Sequence, residues 1–233
     1  MKPLFPVLVV LLALSLVSLH GKDVAAPHYI VPTSIETATL LPEPPALNSA
    51  ETTNEIQILL EKQKTRTLAE VARAQSEVKL TVFAFADVLG TGFTEEKLPK
   101  TAAFFGSIHN DAHFVSDAAK KVWNRPRPYV QDARIHPVVE LENNGSYPSG
   151  HATRGMLDAL ILADIFPDLK DKLIARGQQI GEDRELAGVH FPSDVAGGQA
   201  LGKALYDKFV ASSAFQADLA TVKSELLTVS PAK

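Results

Sequence analysis

The sequence predicts an all-α protein with a single domain, and three observations support this. Apolar residues recur every three to four positions through most of the chain from residue 51 onward, which is the period of an amphipathic helix. The alternation typical of strands is almost absent. Of the 233 residues, 45% are hydrophobic and 21% are charged, as in one well-packed globular domain. We therefore expect a single helical bundle.

The first 50 residues do not follow the helical pattern. Val7 to Leu19 is an apolar run behind the single cation Lys2, and it is shorter than the roughly 20 residues that span a bilayer. Residues 1–21 are therefore predicted to be a signal peptide, with a signal anchor as the alternative. Residues 22–50 are rich in proline and are predicted to be an extended arm without a helix. Residues 51–233 form the predicted helical domain.

Within that domain, a 3.6-residue apolar stripe from Ile56 to Val78 predicts a long helical stretch. Arg125–Pro128 is predicted to be non-helical, because each proline restricts the residue before it. Tyr129–Tyr147 is predicted to be a long surface loop. The further predicted helices are Val78–Leu89, Pro99–Trp123, Gly150–Phe166, Asp168–Gly181, Ser193–Phe209 and Ala214–Leu227.

Charge and cysteine content exclude several functional classes. The formal net charge is -4 and no basic stripe is present, so a nucleic-acid partner is not expected. The chain has no cysteine, which excludes a thiolate nucleophile, a thiolate zinc site and an iron–sulfur cluster. The predicted signal peptide, and not the cysteine content, indicates a periplasmic or secreted bacterial protein with no stable membrane span after the leader is removed.

Three short blocks carry the chemistry. In the block Pro148–His151 (PSGH), Ser149 is a good N-cap for a helix that begins at Gly150. A helix start favours an anion, Gly150 allows close approach of the backbone, and His151 lies in the first turn. The alternative is a capped helix with a surface histidine.

The block Lys120–Pro128 (KKVWNRPRP) supplies Lys120 near the end of a helix and Arg127 on the rigid segment after it. Arginine offers a planar fork to two phosphate oxygens, and lysine offers a point charge. Fixed φ angles at the two flanking prolines reduce the entropy lost in holding that fork. The alternative is a solvated basic turn.

The block Arg184–Asp194 (RELAGVHFPSD) supplies a second guanidinium fork and a histidine–carboxylate pair. Pro192 suits a helix start, so His190 lies just before the first turn and Asp194 lies in it. Asp194 can accept the Nδ1–H of His190 and leave Nε2 free to attack. The alternative is a helix-capping aspartate beside a satisfied histidine.

Together the blocks supply fixed cations, two imidazoles, a hydroxyl and a carboxylate, which suits binding of a tetrahedral phosphate and its cleavage by imidazole attack. Their spacing resembles the signature of the type 2 phosphatidic acid phosphatase (PAP2) and vanadium haloperoxidase superfamily, which is K-x6-RP, PSGH and SR-x5-H-x3-D. The chain is most similar to the branch of bacterial class A non-specific acid phosphatases. That likeness includes Leu40–Pro45, Gly145–His151 and Gly181–Arg184.

The resemblance implies a helical bundle of the PAP2/haloperoxidase type that hydrolyses a broad range of phosphomonoesters through a phosphohistidine. It implies that His190 is the nucleophile, that Asp194 orients it, and that His151 protonates the leaving alcohol and then activates water. It requires no metal and no other cofactor, because fixed cations neutralise the transferred group. The implied phosphate-binding residues are Lys120, Arg127, Ser149, Gly150 and Arg184.

The resemblance leaves alternatives open. A vanadate-dependent haloperoxidase or a non-catalytic phosphate-binding protein could use the same residues. Asp183 stands where the family has serine, and its carboxylate could either pair with Arg184 and weaken the anion site or point away from it. Ala152 stands where the family usually has threonine. Transfer to alcohols as a side activity and formation of a homo-oligomer are left open.

Other candidate residues receive structural interpretations. His109, His113 and Asp117 have spacings that could place three ligands on one helix face, but Asn110 breaks the HExxH pattern. An ordinary polar face, or a role in supporting other site residues, is therefore expected. Trp123 and the pair Phe104–Phe105 are expected to pack in the core rather than to form the wall of a pocket. The expected partners are small-molecule phosphomonoesters.

Overall fold

The computed structural model describes residues 26–30 and 37–228, and these residues form helices and connecting segments without a strand. The predicted all-α fold is confirmed. Residues 1–21, predicted as a signal peptide, lie outside the described residues. Within the described part of the chain, no helix combines the length and apolarity needed to cross a bilayer. The α-helices are α1 (Thr37–Leu40), α2 (Ala50–Thr65), α3 (Leu68–Ser76), α4 (Ala86–Leu89), α5 (Pro99–Trp123), α6 (Pro128–Gln131), α7 (Gly150–Ile165), α8 (Lys170–Leu186), α9 (Pro192–Val210) and α10 (Ser213–Leu226).

The predicted continuous stripe from Ile56 to Val78 is divided between two helices, α2 and α3. The break follows from a capping box at the start of α3, in which the Thr67 hydroxyl accepts from the Glu70 N–H and the Glu70 carboxylate accepts from the Thr67 N–H. The predicted helix Val78–Leu89 is also wrong in its first half. A 3₁₀ turn at Val82–Phe85 precedes the single α-helical turn of α4.

Helix α5 has the predicted bounds, because strong local signals stand at both ends. Pro99 occupies the first turn, and Asn124 ends the helix in the left-handed conformation with φ of 42°. The chain then runs extended to Arg127, and α6 begins at Pro128. The prediction of a non-helical block is therefore correct up to Arg127, and the predicted loop Tyr129–Tyr147 begins with a helical turn.

Helix α7 is the central element of the bundle and is buried on most of its surface. It lies against α8 and α9 at glycines: a Cβ added at Gly177 of α8 would lie 2.5 Å from the carbonyl oxygen of Gly155. Close backbone approach between these helices therefore depends on small residues. The N-termini of α7 and α9 also meet, since the Ser149 N–H donates to the Asp194 carbonyl oxygen at 2.9 Å.

The described parts of the proline-rich arm lie on the bundle. The N–H groups of residues 28–30 donate to the buried carboxylate of Asp111 on α5, at 2.7 to 3.1 Å. The Tyr147 hydroxyl donates to the carbonyl oxygen of Pro42 at 2.7 Å. The expectation that the arm contains no helix is wrong at α1, where the chain forms one helical turn.

Candidate active site

The N-terminus of α7 is one wall of the site. The Ser149 hydroxyl accepts from the Ala152 N–H at 3.3 Å and so caps the helix, as the sequence predicts. Among the described residues, a Cβ added at Gly150 would have only the Ser116 hydroxyl within 4 Å outside its own helical turn, at 3.8 Å. The protein's own packing therefore does not require glycine there. The open space in front of a helix N-terminus suits an anion that contacts the backbone.

Lys120 reaches the same region from the last turn of α5. Its side chain is buried, with the residue 6% exposed, and Nζ donates to the Gly145 carbonyl oxygen at 2.5 Å. Burial, followed by the positive charge of Arg127, lowers the pKa of Lys120 to about 8. The ammonium is therefore charged at acidic and neutral pH and weakly solvated, which strengthens its attraction for an anion.

Arg127 places its guanidinium between the first and third blocks. Nη1 donates to the Val189 carbonyl oxygen at 3.0 Å and to His190 Nε2 at 2.9 Å. Nη2 donates to the Glu142 carboxylate at 2.7 Å and to the Asn144 amide oxygen at 2.5 Å. The fork thus contacts the predicted nucleophile through Nη1 and an anionic oxygen of the loop through Nη2, so it can bind an oxyanion beside His190.

Arg184 lies in the last turn of α8 and is 2% exposed. Its Nη2 donates to the Ala74 carbonyl oxygen, and its buried Nε has no hydrogen-bond partner among the described residues. Burial lowers the pKa of its guanidinium. A buried, unpaired donor on a cation is costly unless an acceptor binds there, so this atom suits an anionic ligand.

His190 lies between α8 and α9, with Asp194 in the first turn of α9. Nδ1 of His190 lies 3.4 Å from Asp194 Oδ2, while Nε2 accepts from Arg127. Nε2 therefore carries the lone pair and Nδ1 carries the hydrogen. Burial and then the charges of Arg127, Lys120 and Arg184 hold the pKa of His190 well below its ordinary value. This lowered pKa favours the neutral, nucleophilic form of the imidazole.

His151 differs from His190 in which ring nitrogen carries the hydrogen. Its Nε2 lies 3.1 Å from the Glu77 carbonyl oxygen, which can only accept, so Nε2 carries a hydrogen and Nδ1 is left to exchange a proton. Burial and then the charges of Arg154, Arg184 and His190 hold the pKa of His151 well below its ordinary value. A bound phosphate dianion would favour the protonated form.

The structure thus brings the predicted residues of all three blocks to one region, where α5, α7, α8 and α9 meet. The charges of Lys120, Arg127 and Arg184 lower the pKa of His190. Those of Arg184 and His190 lower the pKa of His151. The individual chemical roles remain predictions.

Two functional candidates, Arg125 and Glu55, were not predicted. Arg125 is buried over the Phe191 ring and donates from Nη1 to Asp194 Oδ1 at 2.7 Å and from Nη2 to Glu55 Oε2 at 2.9 Å. Glu55 also accepts from the Ser193 N–H at 2.6 Å. The available signals were weak: Glu55 lies four residues before a buried leucine on α2, and Arg125 lies between the two predicted cations. This pair fixes the carboxylate that faces His190.

The carboxylate of Asp183 points away from the site. It accepts from Arg73 Nε and Nη2, both at 2.7 Å, in a bidentate pair that joins α8 to α3. Of the two outcomes left open by the sequence, the structure supports the second, and Asp183 does not bond to Arg184. Arg73, its partner, has no signal in the sequence that would identify it.

The remaining candidates from the sequence form ion pairs or packing contacts with other side chains of the protein. His109 Nε2 lies 2.7 Å from the Asp158 carboxylate on α7, and the described residues contain no cluster of three or more potential metal ligands. Phe104 and Phe105 are buried core residues, and Trp123 packs edge-on against Tyr147.

Comparison with known proteins agrees with this geometry. Residues 102–207 match the family described as the PAP2 superfamily. The matched segment contains all three blocks.

The chain is also similar to proteins named non-specific acid phosphatase. It is 29% identical over 204 residues to one from Providencia stuartii, covering 82% of this chain and 81% of that protein. It is 33% identical over 147 residues to one from Salmonella typhimurium, covering 61% of this chain and 59% of that protein. A bacterial vanadium-dependent iodoperoxidase shares the fold, with a TM-score of 0.56 and 16% identity over 76% of this chain and 53% of that one.

Proposed function

We propose that this protein is an exported acid phosphatase that hydrolyses a broad range of phosphomonoesters through a phosphohistidine at His190. The observation that carries the proposal is the position of His190 Nε2, which accepts from the Arg127 guanidinium at 2.9 Å and lies near the further buried cations Lys120 and Arg184. The similarity to non-specific acid phosphatases supports the same activity, and the predicted signal peptide supports export.

In the first step, the phosphoryl group binds between Arg127, Arg184, Lys120 and the start of α7. The Nε2 lone pair of His190 attacks phosphorus while the bond from phosphorus to the ester oxygen breaks. The leaving oxygen takes the proton from His151 Nδ1. Asp194 stabilises the charge that develops on the His190 ring, because its carboxylate faces Nδ1–H.

In the second step, water attacks the phosphohistidine. His151 Nδ1 takes a proton from that water, the bond from phosphorus to Nε2 breaks, and orthophosphate leaves. The cations hold the phosphoryl oxygens throughout and supply the electrostatic stabilisation that a metal ion supplies in other phosphatases.

The direction of the two histidine pKa shifts predicts an acidic optimum. His190 must be neutral, and its lowered pKa allows this in acid. His151 must carry a proton when the leaving group departs. Because its pKa lies below 6.5 in the free protein, it loses this proton while the solution is still acidic. We expect a bell-shaped dependence of kcat/KM with its maximum below pH 6.5. A flat profile from acid to neutral pH would contradict the assignment.

The proposal is tested by release of p-nitrophenol from p-nitrophenyl phosphate at mildly acidic pH in the presence of EDTA. Wild-type protein should be active and His190→Ala should be inactive. His136→Ala should match wild type, because His136 is an exposed histidine whose backbone bonds to Gln63 and Arg66 at the C-terminal end of α2. Lack of activity in the wild type, or activity in His190→Ala equal to wild type, would refute the proposal.

A further inference from the structure

Arg154 is a cation beside the site that the proposed chemistry does not use. It lies one turn into α7, and its Nε donates to the Gly150 carbonyl oxygen at 3.3 Å. Long side chains on a helix lean toward its N-terminus, and this hydrogen bond fixes that direction here. The guanidinium therefore lies beside the turn that contains Ser149, Gly150 and His151.

The guanidinium of Arg154 is otherwise unpaired. Within residues 26–30 and 37–228, the hydrogen bond to Gly150 is the only one that its side chain makes, and it forms no ion pair. The neighbouring carboxylates have other partners. Asp158 pairs with His109 at 2.7 Å, Glu142 with Arg127 at 2.7 Å, and Asp117 with His113 at 3.4 Å.

The position of Arg154 relative to the two histidines indicates which part of a substrate it would meet. Arg154 is three residues from His151, so the two side chains are neighbours on one helix face. The charge of Arg154 lowers the pKa of His151, whereas the charges of Lys120 and Arg127 lower the pKa of His190. Since His151 is the residue proposed to protonate the leaving oxygen, Arg154 lies on the leaving-group side of the site.

We propose that Arg154 binds a second anionic group on the leaving alcohol, so that the preferred substrates are phosphomonoesters whose alcohol carries a carboxylate or another phosphate. This inference rests on the proposed function and adds a substrate class to it. An arginine fork suits either group, because both present two oxygens in one plane. Arg154 is a specificity residue and takes no part in breaking the ester bond.

The test uses two substrates of nearly equal size, phosphoglycolate and its neutral amide, phosphoglycolamide. Wild type should have the higher kcat/KM for phosphoglycolate. Arg154→Gln should lower kcat/KM for phosphoglycolate by about 10-fold or more, the effect of losing a hydrogen bond to a charged group, and leave phosphoglycolamide within about twofold. Arg134→Gln is the control, since it removes the same charge from an exposed arginine that pairs with Asp132.

Each other outcome overturns the inference. Equal loss on both substrates would place Arg154 on the transferred phosphoryl group, and no loss on either would leave it without a role in binding. A lower kcat/KM for phosphoglycolate in both Arg154→Gln and Arg134→Gln would indicate that the substrate responds only to long-range charge. The proposed function fails separately if the wild type hydrolyses neither of these substrates nor p-nitrophenyl phosphate.

Discussion

Replacing Arg125 by methionine tests whether this residue holds Asp194 in place. Its side chain is 2% exposed and lies 2.7 Å from one Asp194 oxygen and 2.9 Å from one Glu55 oxygen. Methionine fills much of the space but leaves two buried carboxylates without their cation. Breaking a buried ion pair by removing one partner costs about 3–5 kcal/mol.

The remaining hydrogen bonds place the expected loss near the lower end of that range. Asp194 keeps the Ser146 hydroxyl at 2.5 Å and the Phe191 N–H at 2.8 Å, and Glu55 keeps the Ser193 N–H at 2.6 Å. We therefore expect Arg125→Met to lower the free energy of unfolding by about 3 kcal/mol. This is a large part of the roughly 5–15 kcal/mol typical of a domain.

The assay is urea unfolding followed by far-UV circular dichroism, with linear extrapolation to water. Arg134→Met is the matched control: Arg134 forms a 2.6 Å pair with Asp132, but its side chain is 64% exposed, so we expect little change in the free energy of unfolding. Adding Glu55→Gln to Arg125→Met removes one stranded charge and should recover about 1 kcal/mol. A loss for Arg125→Met no larger than that of the control would refute the account of this network.

Three further predictions concern binding and packing. The affinity for orthophosphate should fall as pH rises through about 8, because Lys120 loses its charge there, and Lys120→Arg should retain affinity at higher pH in titration calorimetry. Asp183→Ser should leave kcat/KM within about twofold, since the carboxylate pairs with Arg73 outside the site, but should cost about 1–3 kcal/mol in urea unfolding; a large change in kcat/KM would contradict this placement. Gly177→Ala should destabilise the protein by about 1–3 kcal/mol through collision with α7, whereas Gly106→Ala, with open space around its Cβ, should stabilise it by about 0.5–1 kcal/mol.

Local signals decided which parts of the fold could be predicted. Pro99 and Asn124 set the ends of α5, and Ser149 capped α7, because proline, asparagine and serine act on the backbone within one turn. The break between α2 and α3 was missed although the capping box Thr67–Glu70 is visible in the sequence, because the apolar stripe continues past it.

The candidate site was predictable where its residues lie in short blocks and not where partners come from distant helices. Ser149, Gly150 and His151 adjoin in sequence, so a helix start implies their geometry. Glu55 lies 70 residues from Arg125, and Arg73 lies 110 from Asp183. Such pairs depend on how α2 and α3 pack, which the pattern of a single helix does not contain.

The central claim is that His190 attacks phosphorus and carries the phosphoryl group between the two steps. The direct test is to mix the protein briefly with a labelled phosphomonoester and to quench the reaction without acid. Peptide mapping under conditions that preserve phosphohistidine then locates the label. We predict label on the peptide that contains His190, and neither label nor turnover in His190→Ala. Label on another side chain, or turnover by His190→Ala at the wild-type rate, would contradict the claim.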